Sequence, residues 1–270
     1  MVTTLSSTPQ VGDNLILESS SEKKMSLGAY RETPDGRGFR YCRNGTVATV
    51  AGQVYQGTAK DTSYLQVSGG LTPAAASSAS ATVAAAIGAT QVTIATSISV
   101  DLNALAGGYM SVDVAPGQGY TYRVKGNTLS AGTVGSPSAG TNVVVYLEDP
   151  IVIGLTTTSR VIFVKHPYDG VVVYPGSCTA APAGVSTFII GASVATTPTV
   201  PGVFYYGWLQ TRGVCSVLFK GTGVAGSAVG AIVSGTSAAV GPCIAGSNIM
   251  GYNISTSIDA EYALVYLTLN

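Results

Sequence analysis

The segments YMSVDV at residues 109–114 and YTYRV at 120–124 decide the fold class, because their side chains alternate in character with a period of two. This is the period of a β-strand, whose successive side chains point to opposite faces of a sheet. Runs of β-branched and aromatic residues between turn residues also indicate strands. These runs are QVTIA (91–95), NVVVYL (142–147), RVIFVK (160–165), GVVVY (170–174), STFIIG (186–191) and YALVYLTL (262–269). No long amphipathic helix separates them, so the sequence predicts an all-β fold of antiparallel β-sandwich or barrel modules.

The chain divides into three predicted parts. Residues 1–30 are mostly polar and aperiodic, so we expect an extended N-terminal arm that becomes ordered only on a partner. Residues 31–200 are expected to form a β-rich domain with a low-complexity link near 67–90, where Ala, Ser and Thr predominate. Residues 201–270 hold closely spaced glycines, short apolar pairs and a final strand, which predicts a small C-terminal β-barrel module.

A hairpin is expected near the start of the β-rich domain. The strand-like segment FRYCR (39–43) is followed by Asn44-Gly45, the strongest short turn signal, and TVATV (46–50) then resumes the strand pattern. The segment GQVYQ (52–56) predicts one further short strand.

Charge is unusually scarce in this sequence. Charged residues make up 10% of the chain and the formal net charge is zero, whereas an ordinary soluble domain has about 25% charged residues. Without a net charge, copies of the chain do not repel one another at long range, which favours a protein built into an assembly. A low-charge secreted β-protein is the alternative. The absence of a basic excess argues against direct nucleic-acid binding.

Side chains suited to catalysis or metal binding are also scarce. The single histidine, His166, lies in KHPYD (165–169), where Pro167 indicates a loop, and no serine stands in a GxSxG context. The carboxylates show no recognisable glycosidase or calcium spacing. We therefore predict that the chain is not an enzyme and has no catalytic residues, no cofactor and no metal site.

The cysteines and the N-terminal sequence indicate the cellular compartment in which the chain is made. The four cysteines are widely spaced without a CxxC pair, which disfavours zinc and favours reduced, buried thiols made in a host cytoplasm. The N-terminal sequence lacks the basic start and apolar stretch of a signal peptide. No run of eighteen apolar residues is present, so we expect no membrane span.

The segment YRETPDGRGFRY (30–41) is the one dense group of charged residues. It combines arginine with tyrosine, and both residue types commonly anchor protein interfaces. The alternative is a solvated turn with local ion pairs, each worth less than about 1 kcal/mol. We favour the interface, because arginine outnumbers lysine there.

Two segments resemble virion proteins of tailed phages. LGAYRETPDGRGFRY (27–41), Asn44-Gly45 and GQVYQ (52–56) resemble structural proteins in which a DGRxFRY segment precedes an NG turn and a strand. YGWLQTRG (206–213), followed by a Gly/Ala-spaced module, is similar to phage head decoration proteins. The resemblance implies a decoration or cement protein that binds the major capsid protein on the outer surface of the virion, commonly as a homotrimer. The capsid or subunit contacts that it implies are Tyr30, Arg31, Arg37, Phe39, Arg40, Tyr41, Arg43, Trp208 and Arg212.

A phage receptor-binding or fibre protein that recognises a host surface glycan is the alternative function. Fibre proteins usually contain long repetitive stalks, and this sequence contains none. The decoration function is therefore the one that we expect.

Overall fold

Strands dominate the computed structural model, which describes residues 13–45, 48–57, 67–70, 84–94, 100–114, 116–134, 136–137, 142–157, 159–174, 189–198, 204–231, 238–243 and 249–269. The only helix among these residues is α1 (Asp13–Ile16), so the all-β prediction is confirmed. The strands are β1 (Tyr30–Glu32), β2 (Gly38–Asn44), β3 (Val54–Gln56), β4 (Val67–Gly70), β5 (Gln91–Ile94), β6 (Tyr109–Val114), β7 (Thr121–Asn127), β8 (Gly132–Thr133), β9 (Ser136–Pro137), β10 (Val143–Leu147), β11 (Arg160–Val164), β12 (Asp169–Val173), β13 (Ile189–Ser193), β14 (Tyr206–Leu218), β15 (Ala228–Ala231), β16 (Val240–Pro242), β17 (Ile249–Asn253) and β18 (Tyr262–Thr268).

The chain forms two compact units. Unit 1 combines residues 1–59 with residues 167–270, and unit 2 comprises residues 60–166. Unit 2 is therefore inserted into unit 1, between β3 and β12. This division differs from the predicted boundary near residue 200, because β14 pairs with β2 on one side and with β18 on the other.

A closed barrel of five strands lies at the centre of unit 1. Its strand order is β2-β12-β3-β13-β14, and a further pairing between β14 and β2 closes the ring. β12 runs parallel to β2, which departs from the purely antiparallel arrangement predicted from the sequence. The barrel thus joins strands from both segments of unit 1, and not from residues 201–270 alone.

Strand β14 leaves the barrel at Arg212 and continues into a part of the same sheet that does not close on itself, which we call the flat extension. Before this point β14 pairs with β2, and after it β14 pairs with β18, which is followed by β17, β15 and β16. The register with β2 shifts between Gln210 and Arg212, and Gly213 adopts a φ of +84° that other residues rarely adopt. The bulge and the glycine together redirect the strand.

Three clusters of buried side chains stabilise unit 1. The largest lies under the flat extension, where alternate residues of β18 such as Val265 and Leu267 are buried. Each such side chain stabilises the fold by roughly 1.5–3 kcal/mol. A second cluster lies among the barrel strands and includes Tyr55 and Ile190. The third cluster, here called the aromatic cluster, contains Ile16, Phe39, Tyr41 and Trp208.

Unit 2 is built on a six-stranded sheet of its own. The strand order is β4-β11-β6-β7-β10-β5, and all five neighbouring pairs are antiparallel. One face buries a core that includes Ile94, Met110 and Phe163. The opposite face follows the expected alternation, because the exposed positions of β7 carry Thr121, Arg123 and Lys125. Strands β8 and β9 form a small separate ribbon.

The N-terminal arm differs from its prediction. Residues 13–30 contact other residues of the same chain instead of forming an extended arm that becomes ordered only on a partner. Ile16 is buried in the aromatic cluster, the backbone of Ser20 exchanges two hydrogen bonds with Tyr206, and the Lys24 N–H donates to the Tyr41 hydroxyl. Residues 1–12 lie outside the described residues.

The hairpin predicted around Asn44-Gly45 is wrong. Asn44 is the last residue of β2, and residues 48–50 form no strand, while residues 46–47 are outside the described part of the chain. The buried Asn44 side chain accepts a hydrogen bond from the Tyr205 N–H (2.6 Å), and the Gly45 N–H donates to Val171 (2.7 Å). These distant contacts replace the local turn. Most of the predicted link near 67–90 also lies outside the described residues.

Candidate interaction surface

Pairing of β1, β2 and β14 brings the two segments that carried the resemblance side by side. β1 pairs with β2 so that Tyr30 lies opposite Arg40. On its other side, β2 pairs with β14, and Tyr41 lies opposite Trp208. Residues far apart in the sequence therefore lie side by side on neighbouring strands. Strand alternation places Arg31, Phe39, Tyr41 and Trp208 on one face of these strands and Tyr30 and Arg40 on the other. We call this region the Arg–aromatic surface, and it comprises Tyr30, Arg31, Arg37, Arg40, Arg43 and Arg212 together with the buried Phe39, Tyr41 and Trp208.

Four arginines of this surface lie over aromatic rings. The Arg31 guanidinium lies 5.4 Å from the Trp208 ring centre, and that of Arg37 lies 5.7 Å from Phe39. Arg40 lies 5.3 Å from the ring of Tyr30. Each such contact contributes about 0.5–1 kcal/mol where it is exposed, and it holds a flat, charged group in a fixed orientation.

Arg43 combines an aromatic contact with an ion pair. Its guanidinium lies 4.6 Å from the Phe204 ring and forms an ion pair with the buried carboxylate of Asp169. Asp169 belongs to β12, so this pair joins two barrel strands. Arg37 forms a more exposed ion pair with Asp35, at 2.6 Å from Nε to Oδ2. The arginines of the Arg–aromatic surface thus form both ion pairs with carboxylates and contacts with aromatic rings.

Three of the expected contact residues lie below the surface rather than on it. Phe39, Tyr41 and Trp208 are buried within the chain, where the Tyr41 ring packs edge-on against Trp208 with centres 5.1 Å apart. In a single chain they therefore offer little area to a partner, although Trp208 and Phe39 still contact Arg31 and Arg37. The partly exposed arginines and Tyr30 are the groups that remain accessible.

Arg212 connects this surface to the flat extension of the sheet. Its exposed side chain hydrogen-bonds the hydroxyls of Tyr30 and Tyr266, and these two bonds, with the nearby Glu32 carboxylate, raise the pKa of the guanidinium. Tyr30 belongs to β1 and Tyr266 to β18, so one residue bridges both regions.

The outer side of the flat extension is a second exposed surface, which the sequence reasoning missed. Val214 lies opposite Tyr266 on β18, and Tyr266 lies opposite Tyr252 on β17. Leu264 and the residue that follows β17, Ile254, are neighbours through a backbone hydrogen bond. We call this surface the tyrosine face: Val214, Tyr252, Ile254, Tyr262, Leu264 and Tyr266, each between 42% and 55% exposed.

The reactive groups in the described residues are mostly engaged in structural contacts. Burial raises the pKa of both the Cys42 and the Cys215 thiol to about 12, whereas Cys243 is only partly buried. Cys178 lies outside the described residues. Asp113 pairs with Arg160 (2.6 Å), and no group of three potential metal ligands occurs in the described ranges.

Comparison with protein-family models, with curated protein sequences and with solved structures finds no match to this chain. Within the described residues, no helix has both the length and the apolar character needed to cross a membrane.

Proposed function

We propose that this chain is a structural virion protein that binds and stabilises the head shell of a tailed phage from its outer surface. The Arg–aromatic surface carries this proposal, because it unites in space the two segments that resemble phage virion proteins. The partner is the major capsid protein, and the function is mechanical rather than catalytic.

The physical character of the surface supports such a contact. Guanidinium groups held over aromatic rings lose little conformational freedom on binding, and arginine and tyrosine are enriched among residues that contribute strongly to interfaces. Each guanidinium carries five N–H donors, so a partly exposed arginine can bind groups of a partner as well as groups of its own chain. Few other charges compete with them, because charged residues make up only 10% of the chain.

Co-sedimentation with undecorated phage heads tests the proposal. The purified chain is expected to bind the heads up to a defined, saturating ratio of chains to capsid subunits. Arg31→Ser removes one partly exposed guanidinium from the Arg–aromatic surface and should weaken binding by about tenfold, as for an interface residue worth 1–2 kcal/mol. Arg123→Ser in unit 2 is the matched control, and it should leave binding unchanged.

Two results would overturn the proposal. The first is a chain that does not sediment with heads at any concentration but binds host cells or their glycans, which would favour the fibre protein. The second is equal loss of binding in Arg31→Ser and Arg123→Ser, which would mean that the Arg–aromatic surface is not the contact.

A further inference from the structure

The tyrosine face departs from the pattern of a sheet that has one solvated side. Antiparallel sheets of this kind alternate apolar residues inward with polar residues outward, and strand β7 of unit 2 follows this rule. On β18, however, the inward Ala263, Val265 and Leu267 alternate with the outward Tyr262, Leu264 and Tyr266. Both faces are apolar, so one of them lacks a covering layer within the described chain.

The exposed area is large enough for a specific contact. A whole tyrosine side chain buries about 150–250 Å², and the exposed fractions of the six residues together amount to about 500 Å². Patches of this size on monomers are often functional. Two such faces packed together would bury about 1,000 Å², which is the minimum expected of a biological protein–protein interface.

We propose that a second copy of this chain covers the tyrosine face, with the two flat extensions packed face to face about a two-fold axis. A two-fold contact uses the same surface on both copies, and an apolar sheet face can pack on its own copy at a spacing of about 10 Å. This contact does not require a head shell, and Arg212 is the one residue that it shares with the Arg–aromatic surface.

Charge complementarity selects the direction of the two strands. Exposed Arg212 lies beside the Thr268 end of β18, and exposed Glu261 immediately precedes Tyr262 at the other end. An axis perpendicular to the strands and in the plane of the contact places each Arg212 near Glu261 of the partner copy. An axis parallel to the strands would instead bring the two Arg212 side chains together.

The other charges near these two ends are mostly paired within the chain. At the Glu261 end, Lys220 forms an ion pair with Asp259 at 2.7 Å. At the Arg212 end, Arg37 pairs with Asp35, and Glu32 attracts Arg212 itself. Glu261 is thus the exposed charge at its end that a partner's Arg212 can meet.

Sedimentation equilibrium of the full chain measures this contact directly. The wild type is expected to reach the mass of two chains, and Leu264→Lys should shift it to one chain, with at least a hundredfold weaker association. Leu102→Lys is a matched control, because Leu102 is 47% exposed and Leu264 is 46% exposed. It should remain a dimer, and circular dichroism should verify that both variants fold.

A charge exchange then tests the arrangement of the two copies. Glu261→Arg places arginine against arginine at both ends of the contact and should weaken association by about tenfold. Arg212→Glu should do the same, and the double variant should restore association to within about threefold of the wild type.

Three outcomes would overturn the proposal. If the wild type had the mass of a single chain, a second copy would not cover the tyrosine face. A mass of three chains would instead indicate the trimer implied by the resemblance. Equal dissociation in Leu264→Lys and Leu102→Lys would mean that the tyrosine face is not the contact.

Discussion

Replacement of Phe39 by alanine tests the aromatic cluster that supports the Arg–aromatic surface. Phe39 is fully buried and shares this cluster with Ile16, Tyr41 and Trp208. Truncation of a buried phenylalanine to alanine costs about 3–5 kcal/mol, depending on how far the neighbours close the cavity. Because Ile16 lies on a single short helix that can shift toward the cavity, we expect the lower value, about 3 kcal/mol.

The assay uses the single tryptophan of the chain. Trp208 is buried in unit 1, so its fluorescence during urea unfolding reports unit 1 and not unit 2. With a dependence of about 2–3 kcal/mol per molar urea, a loss of 3 kcal/mol moves the urea midpoint down by about 1–1.5 M. Far-UV circular dichroism, recorded in parallel, reports both units.

Phe163→Ala is the matched control, because Phe163 is equally buried but lies in the core of unit 2. This variant should lower the urea midpoint of a transition detected by circular dichroism, and it should leave the midpoint detected by Trp208 fluorescence unchanged. The reasoning is refuted if both variants move the Trp208 midpoint equally, since the units would then unfold together. A shift below about 0.3 M for Phe39→Ala would refute the importance of the aromatic cluster.

Two further predictions concern buried polar groups of unit 1. Arg43→Met leaves the Asp169 carboxylate buried without its guanidinium, so the Trp208-detected stability should fall by about 3 kcal/mol. Adding Asp169→Leu should recover part of that loss, and a double variant no more stable than the single one would contradict the ion pair. Burial raises the pKa of Cys42, Tyr55 and Tyr168 to about 12, so the folded state holds these protons more tightly than the unfolded state. The contribution of these groups to the free energy of unfolding should therefore be fully present below about pH 9 and should decrease as the pH rises toward 12. A constant urea midpoint between pH 8 and 11 would disprove this prediction.

Local strand patterns were predictable from the sequence. The segment 109–114 forms β6 with the predicted bounds, because alternation along one strand depends only on neighbouring residues. The segment 160–165 likewise forms β11 (Arg160–Val164). The predicted strand at 120–124 continues as β7 to Asn127, since Gly126 and Asn127 pair with β10 instead of ending the strand.

Pairing between distant strands could not be predicted. β2 contacts β1, β12 and β14, and the last two begin at Asp169 and Tyr206, far along the chain. No local signal fixes such a pairing, and the strong Asn44-Gly45 turn pattern favoured a hairpin that this distant pairing replaces. The insertion of unit 2 into unit 1 could not be predicted for the same reason.

The candidate surface was predictable only in part. The density of arginine and tyrosine at 30–41 identified the exposed residues, while the burial of Phe39, Tyr41 and Trp208 depends on β14 and on residues 13–30. The tyrosine face had one usable signal, because both alternating sets of YALVYLTL (262–269) are apolar. An ordinary half-solvated strand would show polar residues in one of them.

The insertion of unit 2 also determines the order in which the barrel can be assembled on the ribosome. β2 and β3 leave the ribosome first, but their barrel partners β12, β13 and β14 follow only after residues 60–166 have been synthesised. Unit 2 contains all the strands of its own sheet and can fold during this interval, since domains generally fold as units during synthesis. The nascent β2 and β3 meanwhile expose unpaired edges, and unpaired strand edges are a general aggregation hazard.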